Sequence, residues 1–122
     1  MTDVQRSLVL VKPDGVRRGL SGEVLRRIEA KGYTLVAVEL RNATPELLAA
    51  HYAEHEGKPF YGPLVEFMLS GPVLAVVIEG QRCIEGFRSL AGATEVAVQQ
   101  NLVHGSDSEE SAAREIGIWF QS

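Results

Sequence analysis

The sequence predicts an α/β sandwich with a mixed or antiparallel sheet, consistent with a ferredoxin-like βαββαβ core. Short apolar runs alternate along the chain with segments whose apolar residues recur at helical spacing. Turn and capping residues separate these segments, and neither a repeat nor a linker interrupts them. We therefore expect residues 1–122 to form a single domain.

Two strands and one helix are predicted in the first 40 residues. Ser7–Val11 is rich in Leu and Val, as buried strands are. Ser21 is a plausible N-cap for a helix that Gly32 closes as a C′ glycine. Tyr33–Leu40 has a period-two alternation and enough β-branched residues to be the second strand.

Two short helices are predicted next. The run Thr44-Pro45-Glu46 combines a capping hydroxyl, a proline at the first helical position and an acid in the first turn. A helix from this start is expected to reach residue 52 or 53. Gly57–Phe60 breaks the pattern, and a second helix is predicted over Tyr61–Leu69.

The remaining elements lead to the end of the chain. Val73–Glu79 is the best candidate for a central strand, and Cys83–Leu90 is predicted to be a helix. Val96 and Val98 suggest a last strand. A final helix is predicted over Glu109–Trp119, with three candidate N-caps at Ser106, Asp107 and Ser108. Glu109 lies three residues after Ser106, which is the spacing of a capping box.

The composition indicates a globular protein, with 45% hydrophobic and 23% charged residues. A net charge of −4 does not favour strong nucleic-acid binding. Nine of the 12 Lys and Arg residues lie at or before Lys58, so an anion would find most of its partners there. The single cysteine, Cys83, excludes an intramolecular disulfide. With no signal peptide and no membrane-length apolar run, we expect a cytoplasmic protein without a membrane partner.

One histidine is a candidate nucleophile. The run Asn101-Leu102-Val103-His104-Gly105-Ser106-Asp107-Ser108 places His104 at the end of an apolar segment, just before a helix start. Such a histidine is held by the backbone and reachable from outside. An unperturbed imidazole titrates near pH ~6.5, so much of it is neutral and nucleophilic at cellular pH. These residues alone leave open that His104 only caps a turn.

Several positions in the first half could contact an anion or a flat ring. Lys12 follows the first strand and could present a fixed cation, although Lys-Pro-Asp-Gly is also ordinary turn chemistry. Phe60 and Tyr61 lie beside a Gly-Lys-Pro break and could stack on a base, or could pin the loop to the core. Tyr52 could offer a hydroxyl to a bound group, or could be merely half-buried.

Positions in the second half suggest phosphate chemistry. Arg88 offers a planar fork for phosphate oxygens and Thr94 a hydroxyl, although a lone arginine on an amphipathic helix is usually solvated. Glu115 could accept the far N–H of the His104 imidazole and so fix its tautomer and raise its nucleophilicity. Glu115 could equally be a surface acid beside Arg114.

A metal site is conceivable at His51 and His55, which lie four residues apart and could share one helical face. No acid or cysteine completes a convincing ligand set, so no protein metal site is expected. Trp119 and Phe120 are interpreted as core residues rather than as a ligand platform.

Together these residues form an ordered set that resembles the nucleoside diphosphate kinase family, of the bacterial type, from about Ser7 to Phe120. The matching motifs are Lys-Pro-Asp-Gly after a strand, His-Tyr, Gly-Lys-Pro-Phe, Ser-Gly-Pro-Val, Arg88, Thr94 and Asn-Leu-Val-His-Gly-Ser-Asp-Ser. The lysine and histidine motifs are highly specific when they occur together. A ferredoxin-like interaction module leaves this joint occurrence unexplained.

The resemblance implies transfer of the γ-phosphate of a nucleoside triphosphate, mainly ATP, to a nucleoside diphosphate by a ping-pong mechanism. His104 would be the phosphorylated nucleophile, and Glu115 and Ser106 would orient and assist it. Phe60 would stack on the base, and the phosphate and ribose contacts would be Lys12, Tyr52, Arg88, Thr94 and Asn101. Mg²⁺ is implied as the cofactor, bound through the nucleotide phosphates.

The resemblance also implies an antiparallel four-stranded sheet with extra helices, and a homo-oligomer that is a hexamer or a tetramer in the family. The chain departs from the family pattern between Thr94 and Glu95, where the family has a longer loop that supplies a further phosphate-binding arginine. No residue of the sequence replaces that arginine. A true deletion, an engineered change and residues omitted from the sequence are the three explanations. The alternative function is thus a nucleotide-binding protein with weak or no turnover, and a dimer becomes possible if the loop is deleted.

Overall fold

Four strands form one antiparallel sheet. The computed structural model describes residues 4–92 and 102–120. In this part of the chain the strands are β1 (Val4–Val11), β2 (Thr34–Arg41), β3 (Val73–Gln81) and β4 (Val103–Gly105). They lie in the order β2-β3-β1-β4, and every pairing is antiparallel. The sheet confirms the ferredoxin-like α/β fold and resolves the choice between a mixed and an antiparallel sheet.

Six helices and a 3₁₀ turn accompany the sheet within the described ranges. They are α1 (Pro13–Arg17), α2 (Ser21–Ala30), α3 (Pro45–His51), the 3₁₀ turn Ala53–His55, α4 (Tyr61–Met68), α5 (Cys83–Gly92) and α6 (Glu109–Trp119). Helix α1 was not predicted, because Pro-Asp-Gly is typical of a turn. None of the helices described here is long and apolar enough to cross a bilayer.

Alternation along β1 directs its side chains into two separate cores. Val9 and Val11 pack on one face of the sheet with residues of α2 and α5. Leu8 and Leu10 pack on the other face with residues of α3, α4 and α6, including Trp119. Because both faces are covered there, residues 8–11 of β1 form a continuous apolar run in the sequence.

The helix ends agree with most of the capping predictions. Thr44 begins α3, since its Oγ1 accepts a hydrogen bond from the N–H of Leu47 at 3.1 Å. Gly32 has the positive φ of 95° expected of a C′ glycine. Ser21 is the first helical residue rather than the cap of α2, which is Leu20 and has no capping side chain.

The cap of α6 is Ser108, whose Oγ accepts from the N–H of Ser111 at 3.1 Å. The capping box predicted between Ser106 and Glu109 is therefore wrong, because the Ser106 hydroxyl is engaged elsewhere. Cys83 is buried, as expected of a small apolar side chain. The strand predicted around Val96 and Val98 lies outside the described residues.

Candidate active site

Strand β4 fixes the backbone of His104 at one edge of the sheet. His104 lies opposite Leu10 of β1 in the antiparallel register. Immediately after the strand, the N–H of Ser106 donates to the carbonyl of Leu8 at 3.1 Å. The His104 side chain is 23% exposed. The imidazole is therefore attached to a rigid element and still has an open side, as the sequence predicted.

Glu115 of α6 contacts the His104 ring, and Ser106 in turn hydrogen-bonds to Glu115. His104 Nε2 lies 3.0 Å from Glu115 Oε1, and Ser106 Oγ donates to the same oxygen at 2.8 Å. Ser106 Oγ also accepts from the N–H of Leu8 at 3.0 Å, which ties this group to β1. The Glu115 side chain is only 8% exposed, so it is not a surface acid.

The charge of Glu115 determines the tautomer of His104. Burial raises the pKa of Glu115, but the hydrogen bonds from His104 and Ser106 and the charge of His104 outweigh burial and leave it below its usual value. An ionised carboxylate can only accept hydrogen bonds, so the proton of the neutral His104 ring lies on Nε2. Nδ1 is left with the lone pair of a nucleophile.

A cavity of about 210 Å³ opens in front of His104 and Glu115. The side chains that complete its wall are mostly polar or charged, and they include Tyr52, Glu54, His55, Arg88, Asp107 and Arg114. Two guanidinium groups and the Tyr52 hydroxyl therefore share this wall with the carboxylates of Glu54 and Asp107. The guanidinium groups can donate hydrogen bonds to an anion with many oxygen atoms.

The two arginines of this cavity come from different helices. Arg88 of α5 donates to the Gly105 carbonyl at 3.4 Å, so it lies beside the strand that carries His104. Arg114 of α6 donates to the Ala50 carbonyl at 3.2 Å, and its Nη2 lies 3.7 Å from Glu115 Oε2. The sequence indicated Arg88 but treated Arg114 only as a neighbour of Glu115.

Aromatic side chains extend from the cavity to the surface. Tyr52 is mostly buried, and burial, helped by the charge of Glu115, raises its pKa to about 12. The His55 ring lies 5.3 Å from the ring of Phe60, which is 48% exposed. Lys58 Nζ lies 6.0 Å from the Phe60 ring centre. Phe60 therefore does not pin its loop into the core, and about half of its side chain is exposed.

Lys12 joins β1 to α1. Its N–H donates to the Leu102 carbonyl at 2.8 Å, next to β4. Burial lowers the pKa of the ammonium group, and the charge of Asp14 partly opposes this. Lys12 does not line the 210 Å³ cavity, but its charge acts on His51, a neighbour of His104. Thr94 and Asn101, the two other predicted contacts, lie outside the described residues.

The sequence did not indicate that His51 lies against His104. Helix α3 ends at His51 and His55 lies in the following 3₁₀ turn, so the two do not share a helical face. His51 is instead 4% exposed and packs edge-on against His104, with ring centres 5.0 Å apart. Its position three residues after the buried Leu48, on the same face of α3, was the available signal.

Three possible metal ligands meet here, because one atom each of His51, His104 and Glu115 lies within 4.8 Å of the others. However, Trp119 Nε1–H donates to His51 Nδ1 at 3.1 Å. The lone pair of His51 is thus occupied at Nδ1, and Nε2 carries a proton that a metal ion would have to displace. This donor set also differs from the oxygen ligands that Mg²⁺ prefers.

Residues 5–122 match the family described as nucleoside diphosphate kinase. The chain belongs to the nucleoside diphosphate kinase family. A curated nucleoside diphosphate kinase of Mycolicibacterium paratuberculosis is 56% identical over 131 residues, covering 95% of this chain and 96% of the relative. The Streptomyces coelicolor nucleoside diphosphate kinase is 57% identical over 131 residues, with the same coverage.

Solved structures of nucleoside diphosphate kinases share the fold. The enzyme of Halobacterium salinarum in complex with CDP superposes with a TM-score of 0.90 at 41% identity, over 97% of this chain and 88% of that chain. A nucleoside diphosphate kinase family protein from Babesia bovis has a TM-score of 0.88 at 40% identity, over 96% and 88%. Family membership confirms the resemblance drawn from the lysine and histidine motifs.

This member of the nucleoside diphosphate kinase family is shorter than the relative it matches. The M. paratuberculosis alignment spans 131 positions, whereas 95% of the present 122 residues is about 116. Roughly fifteen aligned positions of that relative therefore have no counterpart here. The junction of Thr94 and Glu95, where the motifs place this difference, lies outside the described residues.

Proposed function

We propose that this protein is a nucleoside diphosphate kinase that transfers the γ-phosphate of a nucleoside triphosphate, mainly ATP, to a nucleoside diphosphate through a phosphohistidine at His104. The contact between His104 Nε2 and Glu115 Oε1 at 3.0 Å carries the proposal. It leaves Nδ1 of a partly exposed ring free to attack, at the wall of a polar cavity.

The reaction consists of two phosphoryl transfers. In the first, the Nδ1 lone pair of His104 forms a bond to the γ-phosphorus as the bond to the β–γ bridging oxygen breaks. The nucleoside diphosphate leaves with the electron pair. In the second, a terminal oxygen of another nucleoside diphosphate attacks the phosphohistidine, and Nδ1 leaves. Glu115 stabilises the positive charge that develops on the ring, and Ser106 keeps Glu115 in place.

Positive charge around the cavity supports binding of the phosphates. Arg88 lies beside β4 and its guanidinium group has several N–H donors for phosphate oxygens. Lys12 supplies a second cation at the end of β1, and Tyr52 supplies a hydroxyl that remains protonated at neutral pH. We assign further phosphate and ribose contacts to Thr94 and Asn101 from the family motif alone.

Phe60 is proposed to stack on the nucleotide base. Its side chain is half-exposed and lies against the ring of His55, which lines the cavity. Every base has a flat face that can stack on such a ring, so this contact would tolerate different nucleosides. A broad nucleoside specificity follows.

Mg²⁺ is proposed to bind with the nucleotide rather than to the protein alone. Glu54 and Asp107 provide carboxylate oxygens on the cavity wall, and these suit the water shell of a hard cation. When bound, the ion would share the negative charge of the phosphates. The buried group of His51, His104 and Glu115 would not hold it.

The alternative of a nucleotide-binding protein with weak turnover is not favoured. The chain retains the His104, Glu115 and Ser106 arrangement, and its curated relatives are more than 50% identical nucleoside diphosphate kinases. The shorter segment after Thr94 is the only motive for this alternative.

Labelling with [γ-³²P]ATP tests the proposed function. We expect one acid-labile phosphoryl group per chain, which GDP or CDP removes with formation of the labelled triphosphate. His104→Gln should abolish labelling, whereas Glu110→Gln, on the exposed side of α6, should label like the parent protein. Retention of the label in His104→Gln would refute the assignment of the nucleophile. Nucleotide binding in calorimetry without any labelling of the parent protein would instead support the alternative.

We further propose that the protein is a cytoplasmic homo-oligomer. The single cysteine is buried and suits a reducing compartment. Light scattering distinguishes a dimer from a tetramer or hexamer. A dimer would be the expected result if the missing positions contribute to the subunit contacts of the larger oligomers.

A further inference from the structure

We propose that His51 is a further catalytic residue for the reaction at His104, with a neutral Nε2–H that donates to an oxygen of the phosphoryl group on its way to or from His104. Trp119 fixes the tautomer that makes this donation possible. The inference rests on the proposed function and adds a residue that the sequence motifs did not assign.

The contact with Trp119 determines which nitrogen of His51 carries the proton. The indole N–H of Trp119 can only donate, and it donates to His51 Nδ1 at 3.1 Å. Nδ1 therefore carries the lone pair. Burial is the main reason that the pKa of His51 falls to about 4, so the ring is neutral at physiological pH. The remaining proton of the neutral ring must lie on Nε2.

This Nε2–H is unused in the described structure. It is buried and has no hydrogen-bond partner among residues 4–92 and 102–120. Folded proteins seldom leave a buried donor without an acceptor, and such groups concentrate where a ligand or a reacting group completes the bond. The proton cannot move to Nδ1, because Nδ1 already accepts the hydrogen bond from Trp119, so the unpaired donor remains on Nε2.

The His51 ring lies close to the ring of His104. His51 lines the same cavity as His104, and the two rings meet edge to face at an interplanar angle of 73°. One ring nitrogen of His51 lies within 4.8 Å of a His104 ring nitrogen and of the Glu115 carboxylate. Phosphorylation of His104 would bring three strong acceptor oxygens into this cavity.

The absence of charge on the His51 ring is important because charged or titratable groups on other elements lie near it. They are His104 on β4, Glu115 and Arg114 on α6, and Lys12 after β1. A protonated His51 would compete with His104 for Glu115, whereas a neutral N–H offers a hydrogen bond and leaves the contact between His104 and Glu115 intact. The same tautomer argues against a metal ion at these residues.

Nitrogen NMR of the ¹⁵N-labelled histidine rings tests the tautomer. In the free protein, we expect His51 to show a protonated Nε2 and an unprotonated Nδ1, with no titration between pH 5 and pH 8. After phosphorylation with ATP in the absence of an acceptor, the Nε2–H signal should shift and exchange more slowly with water. A protonated Nδ1, or a signal unchanged by phosphorylation, would overturn the proposal.

Single-turnover labelling with [γ-³²P]ATP tests the contribution to the reaction. His51→Ala removes the donor and should slow phosphorylation of His104 by about 10²-fold, with the Kd for ADP unchanged. His51→Gln places an amide N–H near the position of Nε2 and should recover a substantial part of this loss. Trp119→Phe, which keeps an aromatic ring but releases the tautomer, should give an intermediate rate.

Ser7→Ala is the matched control. The Ser7 hydroxyl is another buried group without a partner in the described structure. Its side chain lies on the same face of β1 as Val9 and Val11, opposite the face on which Trp119 packs. Its removal should leave the labelling rate unchanged. A folded His51→Ala protein that labels at the parental rate would overturn the proposal. If His51→Ala does not fold, a parental labelling rate in Trp119→Phe would overturn it.

The labelling experiments distinguish a wrong role for His51 from a wrong proposed function. A parent protein that never forms phosphohistidine refutes the function, whatever the tautomer of His51. A parent protein that labels normally, together with parental rates in the His51 variants, refutes only the role of His51.

Discussion

His104 and Glu115 are eleven residues apart in the sequence and 3.0 Å apart in the structure. The contact forms because β4 pairs with β1 and α6 packs across β1. A nucleophile on a strand is thus oriented by a carboxylate on a helix, and both elements are held by the same central strand.

Replacement of Glu115 by Gln should reduce the rate of His104 phosphorylation by about 10- to 100-fold. An amide oxygen still accepts a hydrogen bond but no longer stabilises a positively charged imidazole. Quench-flow labelling measures this rate. Glu110→Gln, on the same helix, is the control, and an equal rate in both variants would contradict the orienting role of Glu115.

Replacement of Phe60 by Ala should raise the KM for the nucleotide, because one base–ring stacking contact contributes about 1–3 kcal/mol. The thermal stability should change little, since the ring is 48% exposed. Steady-state kinetics and a thermal melt measure the two effects. Leu69→Ala removes a side chain of similar exposure, 41%, and should leave KM unchanged.

Replacement of Arg88 by Gln should lower kcat/KM by about 10²-fold or more, since it removes a charged donor for the phosphates. The remaining activity should depend less on salt concentration than that of the parent protein. Arg6→Gln is the control, because Arg6 forms an exposed pair with Glu79 and does not line the cavity. A parental value in Arg88→Gln would exclude Arg88 from phosphate binding.

The free energy of unfolding should fall by about 2 kcal/mol between pH 7 and pH 5 because of His51. The pKa of His51 is about 4 in the folded protein and 6.5 in the unfolded chain. Between these values the unfolded chain binds a proton that the folded protein does not, so stability is lost as pH falls. Glu115, whose pKa is lowered by folding, adds a loss in the same direction below pH 4.5.

Urea unfolding at the two pH values measures this difference. His51→Gln cannot titrate, so its stability should be almost independent of pH over the same range even if its absolute stability is lower. A pH dependence as steep as that of the parent protein would show that another group causes the effect.

The sequence predicted those elements whose signals are local. Thr44-Pro45-Glu46 contains every group that begins α3, and Gly32 needs only its own backbone freedom to end α2. Glu109–Trp119 was predicted with the observed bounds. In each of these cases neighbouring residues supply the donors and acceptors that define the boundary.

The predictions failed where the role of a side chain depends on a partner that is distant in the sequence. Three hydroxyl or carboxyl side chains could cap α6, and Ser106 is excluded only because Leu8 and Glu115, distant in sequence, engage its hydroxyl. The role of His51 depends in the same way on Trp119, 68 residues away. A lone buried histidine indicates that a partner exists but does not identify it.

The side chains of the candidate active site are synthesised in a fixed order along the chain. A ribosome releases the sheet strands and His104 before it releases Glu115 and Trp119, which both lie on α6. A chain synthesised only as far as β4 would contain the nucleophile without the carboxylate that orients it. His51 would then lack the Trp119 contact that fixes its tautomer. The complete arrangement around His104 and His51 therefore requires the last described helix, α6, to be packed against the sheet.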